Sequence, residues 1–445
     1  MYVPSYLRFP DRIGIKPFLF PGAASLITLF LFWNYPLHMF SVVVASVFFF
    51  LTFKYPEIGL AIIVNGLFLI GIFWKSFEIP YFVTPAAVTL CAFALLHYVS
   101  NKGLNWKFGM IPAVVLLLGV VLLFGIFYSP VPGWGLIKTG RYLSMNVFIF
   151  FGVLLFTGDL ERLKNLLKAV AFLGFILTSM GLLYVHYMGL ESISRLTLPG
   201  QNPIWFARGL GLSIISTLFL LELTKKALDK VILLIFVFLM LFLIYLTASR
   251  GPALSLLISL FFYFFIVHRG WSNLFRRLFY AFLVFLSLKL FVAAAPKAIW
   301  GRMISLFGGF DLTVFLRWNA YKTAFNLFLK HPLAGVGTGG YADYDKLLRY
   351  PHNIFLELAC EHGIFVVSIF LGVVSYTFYI GIRLLKEKNS SSEVITMAKV
   401  LLTLLVFTFL NSQVSGALHG NFELWFALAG IWVIFSTRRK VVEKK

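Results

Sequence analysis

Long apolar runs recur along the whole chain, at about residues 18–33, 37–53, 58–74, 81–99, 111–128, 142–157, 169–188, 203–223, 231–247, 252–268, 278–294, 352–380, 398–415 and 419–437. Proline, glycine or charge separates each run from the next. In hydrocarbon a single segment must satisfy its own backbone hydrogen bonds, which a helix does, and one crossing takes roughly 20 residues. The pattern therefore predicts an all-α polytopic membrane protein with about 12–14 transmembrane helices. Runs of 17 residues reach only about 25 Å, so early pairs are open to a re-entrant path or to extension into their loops. The first run lacks a small-residue cleavage site and reads as a retained span.

Composition sharpens this picture. The 445 residues are 60% hydrophobic and only 12% charged, half the share of an ordinary soluble chain, which excludes disorder and a soluble globular domain. The two cysteines, Cys91 and Cys360, both lie inside apolar runs, so neither a disulfide framework nor a cysteine metal site is expected.

The net charge of +21 carries more information once it is placed. With a cytoplasmic N-terminus, 23 of the 38 Lys and Arg fall in connections on the cytoplasmic side, and only Lys75, Lys138, Arg141, Arg195 and Arg250 in short connections on the other. That asymmetry is the positive-inside pattern and puts both termini in the cytoplasm. It also removes the nucleic-acid partner that a basic soluble protein would suggest. Four regions follow: spans over 1–294, a large outer connection over 295–351, spans again over 352–437, and a basic cytoplasmic tail over 438–445. Within the outer connection Val314, Trp318, Tyr321, Phe325 and Phe328 recur at helical spacing opposite Arg317, Asn319, Lys322, Thr323 and Asn326. An amphipathic helix near 313–330 is expected to lie along the outer surface, its aromatic stripe in the headgroup layer or against the bundle.

Basic residues on the sparsely charged outer face are the candidates for chemistry. Arg250 in TASRGP stands at the start of a helix with Pro252 in the first turn, a place suited either to an anion or to a snorkelling arginine. Arg208 in NPIWFAR lies over a turn inside its span, where it faces a polar cavity, pairs with a carboxylate, or snorkels. His352 opens a helix after Tyr350 and Pro351. The helix dipole there favours a neutral imidazole, either a general base or a plain hydrogen-bonding group. Asp343, Asp345, Glu357 and Glu361 are the nearby carboxylates. GVGTGG (335–340) fits G-x-G-x-x-G in letters, but no strand and crossover helix frame it. Tight turns returning the chain to His352 account for the glycines. Nucleotide-sugar transferases usually hold a cation on carboxylates; the long outer connection carries one such spacing, Asp343-Tyr344-Asp345.

Taken in order, NPIWFAR (202–208), ASRGP (248–252), FLRWNAYKTAFNLFLKHPLAGVGTGGY (315–341) and PHNIFLELACEHGIF (351–365) resemble the O-antigen ligase and polymerase superfamily. The resemblance covers roughly residues 200–380. It implies a glycosyltransferase of the GT-C type in the bacterial inner membrane, working at the periplasmic face without metal, nucleotide or other cofactor. The donor it implies is an undecaprenyl-diphosphate-linked glycan; the acceptor is lipid A-core for a ligase, or a second lipid-linked repeat unit for a polymerase. Matched position by position, Arg250 and Arg317, with Arg208 as a further basic position, would hold the diphosphate, and His352 would activate the acceptor hydroxyl. A lipid-oligosaccharide transporter is the reading from another class; it calls for repeat symmetry, and none is evident.

Overall fold

The computed structural model describes residues 50–66, 83–103, 109–198, 202–267, 299, 301, 312–387 and 390–443. They form helices and no strand. In chain order the helices are α1 (Pro56–Ala61), α2 (Val83–Lys102), α3 (Met110–Ile126), α4 (Pro132–Arg141), α5 (Phe148–Leu154), α6 (Leu160–Met188), α7 (Pro203–Leu223), α8 (Ala227–Leu246), α9 (Arg250–Phe261), α10 (Leu312–Lys330), α11 (Ile354–Lys386), α12 (Ser392–Val414) and α13 (Phe422–Glu443). Five of these, α6, α7, α8, α11 and α12, are long and apolar enough to cross a membrane, and three apolar helices are shorter. The protein is thus an all-α polytopic membrane protein. The runs expected at 18–33, 278–294 and most of 37–53 lie outside the described residues.

Helix α7 is the core of the bundle, buried along most of its length. Small residues make this possible. Gly174 of α6 leaves room for Ser213, and Gly211 leaves room for Phe407 of α12, so backbones approach closely where a larger side chain would separate them. Asn65 fills the remaining polar gap, donating to Ser213 Oγ at 2.6 Å and to the Val170 carbonyl at 3.3 Å. In an apolar interior such bonds fix how the helices are set against one another.

The connections assigned to one side by charge do meet at one end. Arg162 pairs with Glu57 at 2.7 Å, Lys164 with Glu393 at 3.0 Å and Arg438 with Glu387 at 2.6 Å. At the opposite end gather the start of α7, the α8–α9 turn, the start of α11, the 415–421 connection and α4. One expected loop is helical instead. Residues 132–141 form α4, because Pro132 pre-sets the first turn and Lys138 is drawn into the protein by two carboxylates of α11.

Helix α10 has the expected extent, and small residues rather than the aromatic stripe take most of its inner face. Ala320, Ala324 and Leu327 face the bundle, packed with Val336, Tyr341 and Cys360. Trp318 and Phe325 point outward, each at least half exposed. Close approach to α11 selects small side chains, which leaves the aromatics for the other face.

Candidate active site

The chain reverses between α8 and α9 over Thr247–Ser249. Thr247 Oγ1 donates to the Ile244 carbonyl at 2.7 Å and accepts from the Ser249 amide at 3.2 Å. Ala248 takes φ of +48°, a left-handed conformation that an alanine adopts only under constraint. This turn delivers Arg250 as the first residue of α9, with Pro252 behind it.

Arg250 lines a cleft of about 490 Å³, counting the solvent at its mouth, whose walls come from five segments, the first turn of α7 with Ile204 among them. Arg317 enters from α10, its Nη1 donating to the Val414 carbonyl at 2.9 Å. Val414 and Ser415, at the end of α12, form another wall. The fifth contribution is Arg195, from the connection between α6 and α7, its Nε donating to the Thr247 carbonyl at 3.1 Å. Among the described lining residues there are three arginines and no carboxylate. Such a lining suits a polyanion presented by a ligand, and guanidinium forks match phosphate oxygens in pairs.

His352 is tied to the same end of α12. The residue after it, Asn353, caps α11 by accepting from the Leu356 amide at 3.0 Å and donates to the Gln413 carbonyl at 3.1 Å. Tyr321, one turn along α10 from Arg317, donates to that same carbonyl at 3.4 Å. Free carbonyls at a helix C-terminus attract donors. Here they hold Arg317 and the His352 segment to adjacent residues, Val414 and Gln413. His352 has φ of +56°, packs its ring at a tilt against Tyr350 at 4.3 Å between centroids, and buries an Nδ1 with no hydrogen-bond partner among the described residues. Burial, and secondly the Arg317 charge, push the imidazole down to about 4 against a weaker opposing pull from Asp345. At neutral pH it is an unprotonated base. Among the described residues Ala248, Arg349 and His352 are the non-glycine residues with positive φ; the first leads into Arg250 and the last precedes the cap residue Asn353.

Arg208 is placed elsewhere. It is 2% exposed, with Nη2 held by Glu423 at 2.9 Å and by Asn421 Oδ1 at 2.7 Å. It stands beside Gly416, next along the chain from the cleft residue Ser415, and is not among the cleft residues. Of the three openings read from the sequence, the structure takes pairing with a carboxylate. Glu357 and Glu361 are likewise occupied, both by Lys138, at 2.6 and 2.5 Å, and Glu357 also accepts from the Leu418 amide at 2.7 Å. Asp345 accepts from Tyr341 and from the amides of Leu347 and Leu348, so it stabilises a turn.

The glycine segment explains how α11 can begin where it does. Gly363 has φ of +77° and interrupts α11, which releases the carbonyls of the preceding turn. Residues of the GVGTGG loop take those places: Val336 N–H donates to Cys360 O and Gly337 N–H to Glu361 O, each at 2.9 Å. Gly335, Gly337 and Gly339 all have positive φ and lie against backbone where a Cβ would collide. The segment is a wedge that sets the start of α11, not a nucleotide loop.

Sequence reasoning grouped Arg250, Arg317 and Arg208 with His352 and passed over Arg195; the cleft lining has Arg195 and not Arg208. The signal for Arg195 was present in its scarcity, since it is one of five basic residues in the short outer connections.

A family model described as O-antigen ligase matches residues 235–371. The matched stretch runs from α8 into α11 and contains Arg250, Arg317 and His352, while Arg195, Arg208 and the 413–421 region lie outside it. No curated protein matches the chain.

Proposed function

With an O-antigen ligase domain over residues 235–371, this chain belongs to the O-antigen ligase and polymerase superfamily, and from that premise we propose that it is a ligase. In this reading it transfers a glycan en bloc from undecaprenyl diphosphate to a lipid A-core acceptor at the periplasmic face of the inner membrane. The observation that carries the reading is the cleft: arginines 67 positions apart in the sequence, Arg250 and Arg317, line one recess with no carboxylate among its described walls, and a neutral histidine is tied to the same helix end.

The chemistry then follows from charge and proton affinity. Arg250 and Arg317 bind the two phosphates and stabilise the charge that gathers on them as the anomeric C–O bond lengthens. His352 takes the proton of the acceptor hydroxyl, whose oxygen attacks the anomeric carbon from the face opposite the diphosphate, inverting it. The bridging oxygen leaves with the bonding pair on the lipid diphosphate, and His352 later returns its proton to solvent. Exposed Trp318 and Phe325 seat α10 in the headgroup layer, so that Arg317 stands at the depth where a lipid diphosphate lies.

Purified protein in nanodiscs, incubated with a defined undecaprenyl-diphosphate glycan and a lipid A-core acceptor, tests this by the mass of the product. Glycan on lipid A-core is expected, together with loss of transfer in Arg250→Ala, Arg317→Ala and His352→Ala. Extension of one lipid-linked repeat by another would instead assign a polymerase. Transfer by all three variants at the wild-type rate would remove the enzyme reading of this cleft.

A further inference from the structure

The proposed reaction changes the charge of its lipid partner, and the cleft lining carries a third arginine besides the two assigned to the intact donor. A glycosyl lipid diphosphate carries about one negative charge on each phosphate. When the glycosyl bond breaks, the bridging oxygen stays on phosphorus and that phosphate becomes a monoester, of about −1.5 to −2 at neutral pH. Arg250 and Arg317 match the charge of the intact donor. Arg195 is the third cation in the same lining.

Its position is built, not incidental. The connection that carries it is anchored on both sides, by Ile193, Leu196 and Leu198 in the core. Leu196 N–H donates to the Leu246 carbonyl at 2.8 Å and Arg195 Nε to the Thr247 carbonyl at 3.1 Å, which joins this connection to the turn leading into Arg250. The guanidinium is therefore fixed against the turn that presents Arg250. We propose that Arg195 is a third phosphate ligand of the cleft, and that it answers the negative charge that appears on the lipid diphosphate as the glycosyl bond breaks. An interaction stronger in the transition state than with the bound donor raises turnover more than affinity. The proposal rests on the diphosphate reading of the cleft given above.

The full-length protein in nanodiscs is titrated with farnesyl diphosphate, which has the charge of the leaving group, and with farnesyl-diphospho-N-acetylglucosamine, which has that of the intact donor. Arg195→Gln is the informative variant, because its amide can still donate to the Thr247 carbonyl while the charge is gone. It is expected to weaken farnesyl diphosphate by roughly ten- to a hundred-fold and the glycosylated lipid by only a few-fold. In the transfer assay its kcat should fall with KM little changed. Arg195→Lys retains a charge without the planar fork and should fall between the two. Wild-type affinity for both lipids in the Lys and Gln variants reduces Arg195 to a loop tie and overturns the proposal; so does an equal loss on both lipids. If Arg250→Ala and Arg317→Ala lose farnesyl diphosphate while Arg195→Gln does not, only this inference fails. If the wild type binds neither lipid, the reading of the cleft itself fails.

Discussion

Basic residues at this end of the protein occupy two settings that differ in what faces them. Arg208 and Lys138 are each only 2% exposed and each contacts buried carboxylate, Glu423 in one case, Glu357 and Glu361 in the other. Arg195, Arg250 and Arg317 line an open cleft with no carboxylate among its described walls, and the contacts of Arg195 and Arg317 at 3.1 and 2.9 Å are to backbone carbonyls. A buried cation beside its counter-charge contributes structure, whereas a cation at an open cleft wall can also meet a ligand.

Breaking the first setting should have the largest effect. Arg208→Met strands the Glu423 carboxylate among apolar neighbours, and removal of one partner from a buried pair costs about 3–5 kcal/mol. Early unfolding in a detergent melt is expected. The double variant Arg208→Met, Glu423→Leu should regain most of that loss, because the charge and its partner leave together. A variant Arg208→Met that melts like the wild type yet no longer binds farnesyl diphosphate would move Arg208 into the cleft group.

Breaking the second setting should leave the melt nearly intact and remove turnover instead. Loss of one preorganised cation from a site of developing charge costs about 10²–10³ in kcat, so Arg317→Ala is expected to fold and to turn over that much more slowly. The same residue also sets a pH dependence. His352 is neutral above about 4, so kcat/KM should stay level as pH falls from 8 to about 5 and decline only as it approaches 4. An ordinary histidine would bring that decline near 6.5. Arg317 lowers the value and Asp345 raises it, so the acid limb should move to higher pH in Arg317→Ala and to lower pH in Asp345→Asn. A limb near 6.5 in the wild type, unmoved by either variant, would separate His352 from the proton transfer.

How far the sequence disclosed this comparison depended on the kind of signal. Apolar runs placed α6, α7, α8, α11 and α12, and the sign of their connections grouped the loops that meet at one end, because hydrocarbon thickness and loop charge act on each segment separately. The pairing of Arg208 with Glu423 depends on two helices 215 residues apart in sequence meeting face to face, which no local pattern records. Lys138 was hidden in the same way, read as an outer-loop charge although α11 draws it inside. The α10 stripe was legible in part: of the two places open to it, Trp318 and Phe325 take the outward one. Helical spacing identifies an apolar face, but the close fit to α11 was made by Ala320 and Ala324, which count for little in such a pattern. Arg195 could have been found by applying to it the scarcity argument that selected Arg250.

Between the two settings lies the interruption of α11, and its loss should have an intermediate effect on both. At Gly363 a Cβ would press on the Leu333 and Pro332 carbonyls at a φ that L-residues avoid. Gly363→Ala should cost about 1–3 kcal/mol of stability. It should also slow transfer, because the glycine wedge fixes both Glu361, on the paired side, and the segment that begins at His352. A variant that loses stability while keeping full turnover per folded molecule would show that the wedge serves the paired cluster alone.

The smallest expected effect isolates the joint between the histidine and the cleft. Asn353 has two duties: its Oδ1 caps α11 and its Nδ2 holds the Gln413 carbonyl at 3.1 Å, beside the Val414 carbonyl that Arg317 grips. Asn353→Ala loses both, and about 1 kcal/mol of stability with the cap. Asn353→Asp keeps an acceptor for the Leu356 amide and loses the donor to Gln413, so it should melt close to the wild type. If that donor aligns His352 with the diphosphate, Asn353→Asp should still lower kcat several-fold while leaving the binding of farnesyl diphosphate unchanged, since Arg317 has its own carbonyl. Equal kcat in Asn353→Asp and wild type would mean that the cap alone positions the histidine. The end of α12 would then be a support for Arg317 only.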